Sequence, residues 1–353
     1  MSAAPCVLWF RQDLRLSDNP ALAAAAATGS PVIPVYIWAP EEEGNWPPGG
    51  AGRWWLHQSL KKLAADLEAL GSRLCLRRGP SLAALRELAS ESGAEAVFWN
   101  RRYEPAVLQR DLSIKESLKK GGLRAESFNA ALLFEPWEIK TQTEKPYQVF
   151  TPFWKSCLKK SGQIPALLPS ARFQTLLRKL PSLRLEEFEL EPKIDWAQGL
   201  REAWRPGEAG ARQELERFLE ILRDYPKARD FPDRIGTSRL SPHLHFGEIS
   251  PRQIWHEIQN RAIQDRRGGV QQAAEVFLRE LGWREFAHHL LFHFPHTAEE
   301  ALRPEFQHFP WKSDPTALRA WQRGKTGYPI VDAGMRELWR TGWMHNRVRM
   351  IAA

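Results

Sequence analysis

Five short apolar runs, each separated from the next by a helical stretch, constrain the first part of this chain more than any other feature. They lie at residues 7–10, 32–38, 74–77, 96–100 and 125–128. Between them run segments with readable stops: 20–28 before Gly29, 53–70 before Gly71, 81–92 before Gly93, and 106–120 before Gly121 and Gly122. Alternation of this kind predicts a parallel five-stranded, Rossmann-like α/β sheet with helices on both faces, over residues 1–135. Such sheets bind ligands beyond the C-terminal ends of their strands. Neither GxGxxG nor GxxxxGK[ST] occurs, so the two common phosphate-cradling motifs are excluded. The glycine cluster at 49–52 reads as a loop ahead of a helix.

Residues 136–209 read differently. Seven prolines between 146 and 206 interrupt any period, and we expect an irregular inter-domain connection there. From Gly210 onward helical periodicity takes over, at 211–223, 251–262, 271–292, 317–322 and 332–351. The second domain, 210–353, is therefore expected to be all-α.

The chain has 353 residues and a net charge of +8, which suits a polyanionic partner. The excess is diffuse: 26 basic against 22 acidic residues in 1–200, and 24 against 20 in 201–353. A solvated mixed surface accounts for it equally well. Cys6, Cys75 and Cys157 show no CxxC spacing, which argues for a reducing compartment without structural disulfides. No run of about 18 apolar residues is present, and the N-terminus lacks the pattern of a signal peptide. A cytoplasmic location and no membrane association are expected.

Three constellations carry candidate chemistry. The first is Tyr225 followed by Gly236-Thr237-Ser238-Arg239-Leu240-Ser241-Pro242. Hydroxyls beside a glycine at a helix start can cradle an anion. A plain helix start, with Ser241 as N-cap and Pro242 at the first position, explains the same residues. The second is Glu280, Trp283 and Arg284, at i, i+3 and i+4 of one helix face. They form either a solvated ion pair or a stacking surface beside a carboxylate. The third is Asn346, Arg347, Arg349 and Met350. Asn346 continues a helical stripe of Met335, Leu338, Trp339, Gly342 and Trp343. An amide on a buried stripe needs a partner, from the core or from a ligand, although Gly342 can break the run in two. The histidines at 243, 245, 288, 289, 293 and 296 match no HExxH spacing, so no metal is expected.

These segments resemble the photolyase/cryptochrome family. The resemblance runs through WFRQDLRLSDNPAL at 9–22, FWNRRYEP at 98–105, GTSRLSPHLHFGEISPRQ at 236–253, FLRELGWREF at 277–286 and GKTGYPIVDAGMRELWRTGWMHNRVRM at 324–350. It implies an N-terminal antenna domain joined to a helical FAD-binding domain. Tyr225, Thr237, Ser238, Leu240 and Ser241 resemble the family's flavin phosphate and ribityl contacts, and Arg284 and Arg349 its arginines near the flavin. Glu280, Trp283, Asn346, Arg347 and Met350 match positions that hold a pyrimidine dimer. Trp311 resembles the outermost tryptophan of a photoreduction relay.

The implied activity is that of a carbon–carbon lyase, the light-driven splitting of cyclobutane pyrimidine dimers by an electron from reduced FAD. DNA containing such dimers is the implied partner, and a monomer is expected. Asn346 stands where members acting on (6-4) lesions carry a histidine, and Trp283 is retained where plant-type cryptochromes commonly lose it. Ala106 and Val107 replace the Asn-Glu of some folate-binding members, which leaves a differently held folate, a deazaflavin or no antenna at all open. The chain stops at Met350-Ile351-Ala352-Ala353 without a helix stop, so the FAD-binding domain is expected to be truncated. A blue-light signalling receptor and a non-catalytic remnant are the competing expectations.

Overall fold

The computed structural model describes residues 4–176, 178–266 and 268–353. Strands β1 (Cys6–Phe10), β2 (Pro31–Trp38), β3 (Cys75–Arg78), β4 (Ala96–Asn100) and β5 (Arg124–Phe128) form a parallel sheet in the order β3-β2-β1-β4-β5. Each begins within one residue of the position expected for it. The crossovers are α1 (Pro20–Ala27), α2 (Gly50–Ala69), α3 (Ser81–Ser92) and α4 (Pro105–Lys120). All of β1 is buried, and its side chains alternate between two cores: Cys6, Leu8 and Phe10 in one, Val7 and Trp9 in the other. Burial on both faces is why the strands read as unbroken apolar runs. α2 begins at Gly50 rather than beyond the glycine cluster, since the Arg53 amide already donates to the Gly49 carbonyl.

The connecting segment is more ordered than its prolines suggest. It holds α5 (Phe150–Lys159), the two-residue strand β6 (Gln174–Thr175) against β2, and α6 (Gln198–Ala203). Pro152 falls in the first turn of α5, where an amide has no intrahelical partner to lose. α5 buries Phe150, Phe153, Trp154 and Cys157 in the helical core.

That core is built on α7 (Glu208–Ile221), α8 (Tyr225–Ala228), α9 (Ser241–His245), α10 (Pro251–Ile263) and α11 (Val270–His293). α11 is the central rod. At Gly282 the ring of Trp154 occupies the space a β-carbon would need, so α5 approaches α11 closely. Three outer helices follow: α12 (Pro315–Gln322), α13 (Pro329–Thr341) and α14 (Asn346–Ala352).

Buried polar groups join the halves. Asp18 accepts from Arg252 at 2.9 Å and from the Ser250 hydroxyl at 2.6 Å. Glu248 accepts from the Trp55 indole at 3.0 Å and the Gly207 amide at 2.7 Å, and pairs with His243 at 2.5 Å. Gly247, at φ 64°, lets the chain pass against the backbone of Gln12 and Asp13. Such groups, taken out of water, hold position only while every partner is present.

Candidate flavin and nucleotide site

Eight of the thirteen residues singled out by sequence line one cavity of about 330 Å³. Tyr225, Thr237, Ser238, Leu240 and Ser241 form one wall, and Glu280, Asn346 and Arg349 the other. Tyr225 is held edge-on by Phe218 and Phe277, with ring centroids 5.3 Å away in each case. Burial, together with the nearby carboxylates of Glu280 and Asp230, pushes its phenol up to about 12, although the neighbouring arginines oppose this. It therefore stays a neutral donor near neutral pH.

The hydroxyl-bearing turn is fixed from behind. Arg217 donates to the carbonyls of Thr237 at 3.1 Å and Ser238 at 3.5 Å. Between Ser238 and Leu240 the chain passes through Arg239 at φ 54°, a left-handed conformation that costs of order 1–2 kcal/mol for a residue with a side chain. The Arg239 guanidinium lies over the rings of Trp204, at 4.3 Å, and Trp343, at 5.2 Å. That packing offsets part of the strain. Ser241 opens α9 but makes no side-chain cap, and its hydroxyl has no partner among the described residues.

Across the cavity, Glu280 pairs with Arg229 at 2.8 Å. The expected stripe through Asn346 is absent. Gly342, at φ 71°, ends α13 in a left-handed cap, and Asn346 starts a new helix with its side chain exposed. Breaking the helix resets the phase beyond Gly342, and within α13 itself Met335 is buried while Trp339 faces outward at 84% exposure. His345 caps α14 by accepting from the Arg347 amide at 3.2 Å.

The remaining sequence candidates lie outside this cavity. Trp283 lines a neighbouring groove of about 860 Å³, which shares Glu280 and Arg229 with it. Its ring lies flat on Phe150, with centroids 3.6 Å apart and planes 9° apart. Arg284 turns to the seam between the halves and donates to the Ala131 carbonyl at 2.5 Å. One helical step separates it from Trp283, and that rotation carries it to another face of α11. Arg347 pairs with Asp230 at 2.7 Å on the rim. Met350 is 69% exposed and touches Arg347 through its sulfur at 3.6 Å. Trp311 is 83% exposed, and its one ring neighbour among the described residues is Phe309.

Five cavity residues were not among the candidates: Arg229, Arg239, Phe277, Trp343 and Met344. Arg229 had a signal, since it follows Tyr225 by four residues and its guanidinium sits 5.2 Å over that ring. Arg239 and Trp343 meet only through the tertiary fold.

A second cavity, about 750 Å³, opens at the C-terminal ends of β1 and β2 and between the halves. Trp9, Arg11, Tyr36, Trp38, Arg102 and His245 contribute to it. Among the described residues no cluster of three or more metal-ligating side chains occurs, and no helix is long and apolar enough to cross a membrane.

Comparison with known proteins matches residues 6–172 to the DNA photolyase family model and residues 277–353 to the FAD binding domain of DNA photolyase. The chain is 46% identical to the deoxyribodipyrimidine photo-lyase of Agrobacterium fabrum, covering 100% of itself and 73% of that protein. It is 43% identical to Cryptochrome-2 of Arabidopsis thaliana, covering 98% of itself and 58% of that protein. The solved class III photolyase from Agrobacterium tumefaciens superposes with a TM-score of 0.93 at 45% identity, over 100% of this chain and 72% of that one. With its parallel sheet, its helical FAD-binding half and these matches, the chain belongs to the photolyase/cryptochrome family.

Proposed function

We propose that this chain repairs cyclobutane pyrimidine dimers in DNA by light-driven electron transfer, with FAD held in the helical cavity. One observation carries the reading: a single cavity gathers three hydroxyls, a neutral phenol, three guanidiniums, a carboxylate and a carboxamide. That donor set fits the diphosphate and ribityl part of FAD. Thr237, Ser238 and Ser241 suit a diphosphate and a ribityl chain, and Arg349 supplies positive charge. The side chains of Thr237, Ser241, Asn346 and Arg349 have no hydrogen-bond partner of their own among the described residues. The chemistry that bound, reduced FAD supplies is delivery of an electron on absorbing light.

The residues of the chain do the rest. A dimer that touches both Glu280 and Trp283 sits where the cavity meets the groove. Trp283 offers the ring face that Phe150 leaves open. Asn346 donates to a base carbonyl, and Glu280 accepts from an imide N–H, so charge arriving on the lesion finds fixed dipoles. Arg347 exchanges its surface partner Asp230 for a backbone phosphate. A dimer leaves the duplex more readily than an intact pair because its stacking is weakened. Arg284 acts from the seam, as support for α11 rather than as a direct flavin contact. Trp311, exposed beside Phe309, serves as a surface entry for electrons. We assign the cavity between the halves, whose lining includes Trp9, Tyr36, Trp38 and His245, to a flat antenna heterocycle, folate or deazaflavin.

The test is repair of a dimer-containing oligonucleotide under near-ultraviolet light by the FAD-loaded protein, read as released monomers by chromatography. Repair is expected, and Glu280→Ala should lower the yield about tenfold, the scale of a lost hydrogen bond to a charged group. FAD binding without repair would sink the proposal in favour of a signalling receptor, the reading that the identity to Cryptochrome-2 supports.

A further inference from the structure

We propose that Arg239 is a cofactor-positioning residue, whose guanidinium, clamped between Trp204 and Trp343, takes the diphosphate of FAD. The inference rests on the FAD reading above and adds a residue to it. Arg239 lines the helical cavity and carries the left-handed step of the hydroxyl turn, at φ 54°. A residue with a side chain holds that conformation only where its surroundings over-determine it, and such positions gather at ligand clamps. The over-determination is visible here. The guanidinium lies 4.3 Å over Trp204 and 5.2 Å over Trp343. Both rings are fixed in turn. The Trp204 indole donates to the Thr341 carbonyl at 2.7 Å and packs edge-on to Trp55 at 5.3 Å. Glu202 pairs with Arg340 at 2.9 Å, and a β-carbon at Gly199 would run into the Arg340 carbonyl. α6 is thereby locked to the end of α13, just ahead of Trp343.

A guanidinium held this firmly makes none of the polar bonds open to it. Among the described residues its side chain donates no hydrogen bond and has no ion pair, and none of its nitrogens is buried. Glu214 and Glu337 act on it only at longer range. Indole rings occupy its faces, so its in-plane N–H groups are what remains for a ligand. The charges of the cavity say which ligand. Its lining holds three guanidiniums and one carboxylate, and Arg229 and Glu280 pair at 2.8 Å. Arg239 and Arg349 are left, two positive charges for the two negative charges of a diphosphate. An uncharged ring in their place would leave both uncompensated. Arg239 also stands beside Ser238, one residue from Thr237, whose hydroxyls suit the same group. A cation already fixed between two rings loses little freedom on binding, so its interaction is gained at small entropic cost.

The experiment titrates the flavin-free chain with FAD, read by flavin fluorescence, and with inorganic pyrophosphate, read by calorimetry. Wild type is compared with Arg239→Leu and Arg239→Lys. Leucine keeps apolar packing against both rings and removes the charge, whereas lysine keeps the charge without the planar fork. Arg239→Leu should weaken FAD binding about thirtyfold, the scale of a hydrogen bond to a charged group. Pyrophosphate binding should weaken by the same factor, and Arg239→Lys should recover part of both losses. The ligand-free melting temperature should match wild type in both variants. Pyrophosphate affinity equal to wild type in Arg239→Leu overturns the assignment, as does a wild type that binds no pyrophosphate. Equal FAD losses in both variants, with a matching fall in ligand-free melting temperature, overturn it too, since Arg239 then only clamps the fold. A wild type that takes pyrophosphate but no FAD overturns the FAD reading instead, and the pyrophosphate comparison still decides the role of Arg239.

Discussion

In the cavity between the halves, Arg102 donates to both oxygens of Glu43, each at 2.7 Å, and to Glu104 at 3.1 Å. Arg110 reaches Asp111 at 2.8 Å and Glu42 at 3.5 Å, and Arg11 pairs with Asp111. Around the helical cavity the polar groups are differently disposed. Apart from the Glu280–Arg229 pair, the side chains of Thr237, Ser241, Asn346 and Arg349 have no partner among the described residues. Charges that neutralise one another leave a cavity of shape, ring faces and a few donors, which suits a flat ligand of low charge. Donors held in place but unpaired suit an anion, because binding then adds interactions without breaking any. The two cavities thus separate a framework role for charge from a binding role.

The sharpest way to break this contrast is to cut the framework. Arg102→Ala leaves Glu104 without its cation and Glu43 with only Arg110, 3.9 Å away, among the described residues. We expect a loss of about 3 kcal/mol of stability, the low end for removing one partner of a buried pair, because Glu104 is partly solvated and Glu43 keeps Arg110. FAD affinity of the folded fraction should not change. Denaturant titration and flavin fluorescence measure the two. A fall in FAD affinity at unchanged stability would merge the roles that the cavities keep apart.

Glu285 is the intermediate case. One carboxylate oxygen accepts from the amides of Leu133 at 2.9 Å and Phe134 at 3.2 Å, while the other is buried without a partner. Burial pushes this carboxyl up to about 7, although Arg284, 3.9 Å away, opposes the rise. The folded chain therefore holds a proton that the unfolded chain releases near 4.5, so this group costs stability progressively as pH rises from about 4.5 to 7. Above that window the cost is about 3 kcal/mol, because each tenfold gain in proton affinity is worth roughly 1.4 kcal/mol. Glu285→Gln keeps an oxygen for the two amides and should be more stable than wild type at pH 8, with the difference gone at pH 4.5. Equal pH profiles from thermal melts would refute the assignment.

How far the sequence reaches can be judged from single elements. β1 was legible because burial on both faces leaves an unbroken apolar run, and α3 because Gly93 closes it at φ 72°. α5 was not, since Pro152 looks like a breaker unless its place in the first turn is known. Among site residues, the hydroxyl turn and Asn346 were each legible because each lies in a local, contiguous motif, although only the fold brings the two motifs together. Arg284 lies apart from them, because the resemblance names a residue type at a position, whereas one step along α11 decides whether a side chain faces the cavity or the seam. Arg239 and Trp343 are separated by about a hundred residues, and no period in the chain links them.

The smallest expected effect tests the binding role most directly. Thr237→Val and Ser241→Ala remove two hydroxyls that, among the described residues, bond to nothing else in the protein. Neither change empties a hydrogen bond of the fold, so the melting temperature without FAD should stay within about a degree or two, as for surface substitutions. If the hydroxyls instead donate to a diphosphate, the double variant loses two hydrogen bonds to a charged ligand. Counting about 1 kcal/mol for each, at the low end for such bonds, FAD affinity should fall about thirtyfold by flavin-fluorescence titration. The alternative is that Ser241 only marks the start of α9. Its side chain makes no cap there, so a purely structural role predicts no change in either measurement. A thirtyfold loss at constant melting temperature can arise only if the turn is built for what it binds.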